Sequence, residues 1–348
     1  MPWHAPTPKR ARVNATVHQM PRNEPSLAPV LALTADGMNC VNQIILDRMQ
    51  SKIPLIPALA GHLIAGGGKR MRPMLTLASA ALLEYEGNRH HKLAASVEFI
   101  HTATLLHDDV VDGSDMRRGK QAANMIFGNP AAVLVGDFLF SRSFELMVED
   151  GSLKVLKILS GASAIIAEGE VDQLTAQRRV ETGEEQYLSI IGAKTAALFA
   201  AACRIAAVVA ERDPGIEQKL DDYGRNLGIA FQLVDDAIDY DSDVGESGKD
   251  KGDDFREGKM TLPVILAYAR GDAEERQFWQ DAMRGKRSSD DDLAHATALI
   301  AKHGTVADTR ERARHFANRA IDAISGFPAN EARAAMIEAA QFAVSRRF

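Results

Sequence analysis

The chain has 348 residues, 41 Lys and Arg against 47 Asp and Glu, a formal net charge of -6, and 46% hydrophobic and 25% charged residues. Those proportions exclude a disordered or collagen-like chain, and the slight acidity counts against a partner nucleic acid, whose binders carry a basic excess. Two cysteines, Cys40 and Cys203, cannot build a disulfide framework, and neither sits in a metal-ligand pair, so a reducing compartment, the cytoplasm, is expected.

Taken in chain order, the N-terminal stretch stands apart. Pro2, Pro6, Pro8, Pro21, Pro25 and Pro29 are interleaved with Lys9, Arg10, Arg12 and Arg22, and no acid precedes Glu24. Prolines at this density break the amphipathic helix that a transit peptide requires. A disordered tail over residues 1–35 is expected, with the folded unit over 36–348. Length alone suggests two domains on a soft prior of about 150 residues each, but the pattern that follows reads as one.

Beyond the tail the chain is rich in Ala, Leu, Ile, Met, Glu and Arg, the strong helix formers. No Asn-Gly or Asp-Gly pair is flanked by alternating apolar residues; Asp112-Gly113 follows a continuous apolar run instead. Ala131 to Phe140 and Ile191 to Ala210 are apolar nearly all round, as helices inside a large bundle are. Lys194 and Arg204 interrupt the second, so no run of about 18 apolar residues is free of charge. Asp241 to Gly258 is charged and carries four glycines, Gly245, Gly248, Gly252 and Gly258, so it reads as a mobile loop. Ser289 before Asp290, Asp291 and Asp292 marks a helix start. Ala313, Phe316, Ala317, Ala320, Ile321 and Ile324 then define one apolar helical stripe, ended by Gly326 and Pro328. The expected fold class is all-α, a single large helical bundle.

Two segments carry the chemistry. Asp108, Asp109 and Asp112 form an Asp-Asp-x-x-Asp cluster, and Asp235, Asp236 and Asp239 repeat it in a similar apolar setting. On a helix, Asp108 aligns with Asp112 and Asp235 with Asp239. Carboxylates so placed repel unless a cation neutralises them, and Mg2+ suits, because it takes one or two carboxylates and completes its shell with water and phosphate oxygens. A solvated acidic face would explain one such cluster, but the apolar flanks of both argue against it. The third element, Gly66-Gly67-Gly68-Lys69-Arg70-Met71-Arg72-Pro73, lacks the spacing and the Ser or Thr of a P-loop. It still delivers Lys69, Arg70 and Arg72 from a glycine turn as an anion clamp. Arg117, Arg118 and Lys120 follow the first acidic cluster, and Lys249, Lys251 and Lys259 the second. His101 and His107 lie six apart on different helix faces with no Cys or third His near, so zinc is not expected.

With these motifs and Gly258-Lys259-Met260-Thr261-Leu262-Pro263 in order and spacing, the chain resembles the trans-isoprenyl diphosphate synthase family from about residue 40 to the C-terminus. Leu105 to Gly119, Val135 to Phe140 and Gly252 to Pro263 are similar to its long-chain octaprenyl and decaprenyl members. The resemblance implies the isoprenoid synthase fold, with a deep central cavity, and a homodimer. It also implies the substrates, isopentenyl diphosphate and an allylic diphosphate, with farnesyl diphosphate as primer, and at most peripheral membrane contact. Asp108, Asp109 and Asp112, with Asp235, Asp236 and Asp239, would hold magnesium and the allylic diphosphate. Arg117, Lys194, Thr195, Gln232, Lys249 and Lys259 match positions that contact that diphosphate. Lys69, Arg72, His101 and Arg118 match the isopentenyl diphosphate site, which Arg346 and Arg347 could also serve.

The implied reaction is an electrophilic alkylation in which metal and basic residues stabilise the departing diphosphate. Thr104 and Ala103, four and five residues before Asp108, stand roughly 6–8 Å from the metal site along the helix axis. Both are small, so a long product is expected, and Ala103→Phe should shorten it. Rival readings are a shorter-chain farnesyl or geranylgeranyl synthase, a class I terpene cyclase and a non-catalytic subunit. The cyclase does not need the Lys69 and Arg72 clamp, and a non-catalytic subunit tends to lose one aspartate motif, whereas both are kept here.

Overall fold

The computed structural model describes residues 24–65, 68–117, 119–241 and 252–346. Helices α1 (Ala28–Arg48), α2 (Leu55–Ala65), α3 (Met71–Leu82) and α4 (Arg89–Val111) lead into a short antiparallel pair, β1 (Met116–Arg117) with β2 (Lys120–Gln121). Then come α5 (Ala123–Phe127), α6 (Asn129–Asp150), α7 (Leu153–Ala176), α8 (Glu184–Ile191), a π turn (Gly192–Ala196), α9 (Ala197–Val209) and α10 (Pro214–Asp239). The chain ends with α11 (Asp253–Glu257), α12 (Leu262–Arg270), α13 (Ala273–Met283), α14 (Asp290–Lys302), α15 (Thr305–Ile324) and α16 (Glu331–Ser345). The fold is all-α apart from the β pair. That small ribbon lay outside the sequence signals, because its strands are two residues long and polar.

Packing runs α4 along α6, α9 along α10, and α10 along α15, with α3 against α9. α10 is the central element: its Asp213 side chain caps the first turn, and Pro214 sits where a missing N–H costs nothing. Leu220, Tyr223, Leu227, Leu233 and Val234 bury its inward face. A Cβ at Gly224 would lie 2.3 Å from the Phe199 carbonyl oxygen, so only glycine allows α10 to approach α9 this closely. The all-round apolar segment seen in the sequence becomes α9, whose residues Ala197 to Cys203 are all buried. The C-terminal stripe is realised in α15, with Ala313, Ala317, Ala320 and Ile324 buried. Ser289 caps α14 in a reciprocal pair with Asp292.

Two expectations need correction. The tail boundary at residue 35 falls inside α1, and Leu27, Val30 and Thr34 are buried, so the folded part begins earlier. Pro29 was read as a helix breaker, but it occupies the first turn of α1, where proline is tolerated. Residues 1–23 lie outside the described residues. The expected loop from Asp241 to Gly258 contains α11 at its distal end, anchored by Asp239, whose carboxylate accepts the Asp254 N–H at 3.3 Å. Residues 242–251, including Lys249, lie outside the described residues.

Candidate active site

A cavity of about 720 Å³ opens between α3, α4, α7, α8, the π turn, α10 and α11. Asp108 and Asp112 reach it from the last turn of α4, and Asp235 and Asp236 from the last turn of α10. Both acidic clusters therefore sit at the negative ends of helix dipoles, the reverse of the favourable arrangement. Burial pushes the Asp108 carboxyl up to about 6; Lys194, 3.8 Å away, only partly offsets this, and Glu170 and Asp112 add repulsion.

The aspartates divide by direction. Asp108 and Asp112 share the cavity face, as their spacing requires. Asp109 turns to the back of α4, 1% exposed, where Arg117 holds it through Nε at 2.6 Å and Nη2 at 2.5 Å. Asp235 faces the cavity with the Arg346 guanidinium 3.6 Å away. Asp236 is buried and accepts hydrogen bonds from the Tyr187 hydroxyl and the Gln232 amide. Asp239 is turned toward the backbone of α11. Asp109, expected as a metal ligand, is held by Arg117 because it neighbours Asp108 and consecutive positions on a helix point about 100° apart; Asp239, also expected as a ligand, accepts the Asp254 N–H.

The residues facing the cavity fit a hard divalent cation, since Asp108, Asp112 and Asp235 offer carboxylate oxygens at two dipole ends that favour positive charge. Among the described residues, no three His, Cys, Asp or Glu side chains form a ligand set by themselves. Water and phosphate oxygens would therefore complete the shell.

Basic groups alternate with these acids. Lys194, on the π turn, pairs with Glu170 at 2.8 Å. A Cβ at Gly169 would lie 3.0 Å from the Lys194 backbone nitrogen, so glycine lets α7 press against this turn. Lys259 lies 3.1 Å from Asp112 and also meets Glu257. Burial works against its charge, but Asp254, Asp112 and Glu257 outweigh that and hold its pKa well above the ordinary lysine value. Thr195 donates to Gln232 at 2.9 Å. On the α3 side, Arg72 is 3.0 Å from the His101 ring and stacks on Phe199 at 4.5 Å. Lys69 stands over Phe342, its pKa lowered by burial and then by Arg346. Arg346 is buried, stacked on Phe231 at 3.9 Å and donating to the Phe231 carbonyl.

The structure thus brings Lys69, Arg72, His101, Arg117, Lys194, Thr195, Gln232, Lys259 and Thr104 to one cavity. Arg118, Lys249 and Arg347 lie outside the described residues. Ala103, the other expected chain-length residue, is fully buried in the α4–α6 core and is not among the residues lining this cavity, whereas Thr104 is. Sequence reasoning missed Glu170, Gln173 and Tyr187, which also line the cavity. Glu170 stands between Glu168 and Asp172, so nothing in the local sequence singled it out.

A family model described as polyprenyl synthetase matches residues 53–300. The chain is 46% identical over 324 residues to octaprenyl diphosphate synthase of Escherichia coli (strain K12), spanning 92% of this chain and 99% of that protein. A solved structure of polyprenyl synthase from Caulobacter crescentus CB15, complexed with calcium and isoprenyl diphosphate, is 52% identical with a TM-score of 0.91. It covers 94% of this chain and 100% of that one. A decaprenyl diphosphate synthase structure from Rhodobacter capsulatus is 48% identical with a TM-score of 0.89, covering 93% and 100%.

Proposed function

The chain belongs to the polyprenyl synthetase family, and from that premise we propose that it condenses an allylic diphosphate with successive isopentenyl diphosphates. It is a prenyltransferase, and its product is a long-chain all-trans-polyprenyl diphosphate; the octaprenyl and decaprenyl relatives support that length. We propose farnesyl diphosphate as the primer and quinone side chains as the use. One observation carries the reading: two acidic helix ends face one cavity, with Lys69, Arg72 and His101 lining the same space.

Asp108, Asp112 and Asp235 would hold magnesium, which when bound neutralises charge on the departing diphosphate. Lys194, Gln232 and Lys259 orient the allylic diphosphate, so that its carbon–oxygen bond breaks with the electron pair leaving on oxygen. Lys69, Arg72 and His101 hold isopentenyl diphosphate with its alkene toward the resulting cation, and a new carbon–carbon bond forms. The proton then lost passes to the released diphosphate. Ile166, Ile190, Ile191 and Phe199 line the same cavity and keep water from the cation. Thr104, one turn below Asp108, leaves room for the growing chain.

A homodimer is supported by the apolar side chains left exposed on α6 and α7, among them Leu134, Val148, Leu153 and Val171. Free Cys40 and Cys203 suit the reducing cytoplasm, and cell fractionation checks that placement. The direct assay incubates purified protein with farnesyl diphosphate, isopentenyl diphosphate and magnesium and reads product mass. No elongation of any allylic primer defeats the enzyme reading; a fifteen- or twenty-carbon product removes the long-chain one.

A further inference from the structure

We infer that Tyr187 is a positioning residue that acts through Asp236 to hold the Gln232 amide, so that its second N–H is presented to the allylic diphosphate. The inference rests on the proposed function, since it concerns how that substrate is gripped.

Tyr187 is 4% exposed on α8, and its hydroxyl lies 2.5 Å from Asp236 Oδ2. Gln232 Nε2 lies 2.8 Å from Asp236 Oδ1, and Thr195 Oγ1 lies 2.9 Å from Gln232 Oε1. These three contacts join α8, α10 and the π turn in an unbroken chain. Its polarity follows from which atoms face one another. Gln232 Nε2 faces Asp236 Oδ1, so the amide donates there, and the Tyr187 hydroxyl meets the other carboxyl oxygen, Oδ2. The Gln232 NH2 group therefore faces Asp236, its carbonyl oxygen faces Thr195, and the Thr195 hydroxyl must donate.

The orientation has a consequence for the cavity. One Gln232 N–H is committed to Asp236, and the other remains for the cavity that Gln232 lines. A flipped amide would set its oxygen against the Asp236 carboxyl oxygen and lose that contact, while its NH2 would turn to Thr195, whose hydroxyl would then accept. Asp236 itself is 4% exposed, so its position depends on what holds it from behind, and that group is the Tyr187 hydroxyl. Burial pushes the Tyr187 pKa far above the ordinary value, so this hydroxyl remains a donor throughout the working pH range. The acid at position 236 thus serves geometry, while Asp235 faces the cavity and Arg346.

Tyr187→Phe keeps the ring and its packing but removes the donor. The Michaelis constant for the allylic diphosphate should rise by about threefold to tenfold, the usual worth of one hydrogen bond, while that for isopentenyl diphosphate stays unchanged. Because Tyr187 acts through Gln232, Y187F combined with Gln232→Leu should be no worse than Gln232→Leu alone. Calorimetric titration of inorganic diphosphate with magnesium should show the same loss of affinity in Y187F, and it does not depend on turnover. Wild-type protein that elongates no primer would defeat the proposed function, while the titration would still read the clamp. Equal diphosphate affinity in Y187F and wild type, equal rises in both Michaelis constants, or multiplied effects in the double variant would overturn the inference.

Discussion

Replacing Asp108 by Asn should abolish turnover yet make the metal-free protein more stable near neutral pH. The Asp108 side chain is 15% exposed, and burial outweighs Lys194 in moving its carboxyl from an ordinary 3.8 up to about 6. That displacement corresponds to on the order of 3 kcal/mol of folding free energy forfeited when the group is ionised. The variant also removes one partner of Lys194, at 3.8 Å, but Glu170 remains at 2.8 Å. A net gain of about 1–2 kcal/mol is therefore expected. The folded state binds this proton more tightly than the unfolded state, so the parent's penalty is absent below about pH 4 and fully present above about pH 6. The stability gap between variant and parent should open as pH rises through that window. Urea unfolding of chelator-treated protein, followed by far-ultraviolet circular dichroism across the window, measures it. A variant no more stable than the parent near neutrality, or a gap that widens as pH falls, would refute the electrostatic account of this helix end.

Gly224→Ala should destabilise the protein, because the added Cβ meets the Phe199 carbonyl oxygen at 2.3 Å. Overpacking costs about 1–3 kcal/mol against about 1 kcal/mol of helix propensity gained, and urea midpoints would reveal any stabilisation that contradicts this. Thr104→Phe should shorten the product by narrowing the wall below Asp108, read by mass spectrometry; Ala103→Phe should instead lower stability by about 1–3 kcal/mol through overpacking of the α4–α6 core. Val148→Glu, at a position 65% exposed on α6, should convert the proposed dimer to monomer in light scattering, and an unchanged mass would exclude that face as the contact.

The aspartate spacing made Asp108 and Asp112 legible as one face, and that inference needed only the helical period. The same period could have warned that Asp109 turns away, yet nothing near it in sequence names Arg117 as the group that would hold it. Lys194 was visible as a charge in an apolar run, but its partner Glu170 lies on another helix, a tertiary fact with no local trace. The contrast between Ala103 and Thr104 has a related reason. Axial distance from Asp108 was read correctly, but rotation about the axis decides whether a side chain meets the cavity or a neighbouring helix. Pro29 shows the local counterpart: the residue that breaks a helix interior is welcome in its first turn, and composition does not separate the two positions.

The π turn between α8 and α9 has a consequence for how this region tolerates change. A wider turn absorbs one extra residue, so the helical phase before Gly192 is offset from the phase after Ala196 by about 100°. Lys194 and Thr195 sit at the dislocation, while the alanine-rich stripe of α9 keeps its own frame against α3 and α10. The polar pair and the packing stripe are thereby decoupled, and substitutions in one need not disturb the other. Length is the exception: losing a single residue within 192–196 would bring the two halves back into step and rotate one of them out of place. In this short stretch, residue count is constrained as tightly as residue identity.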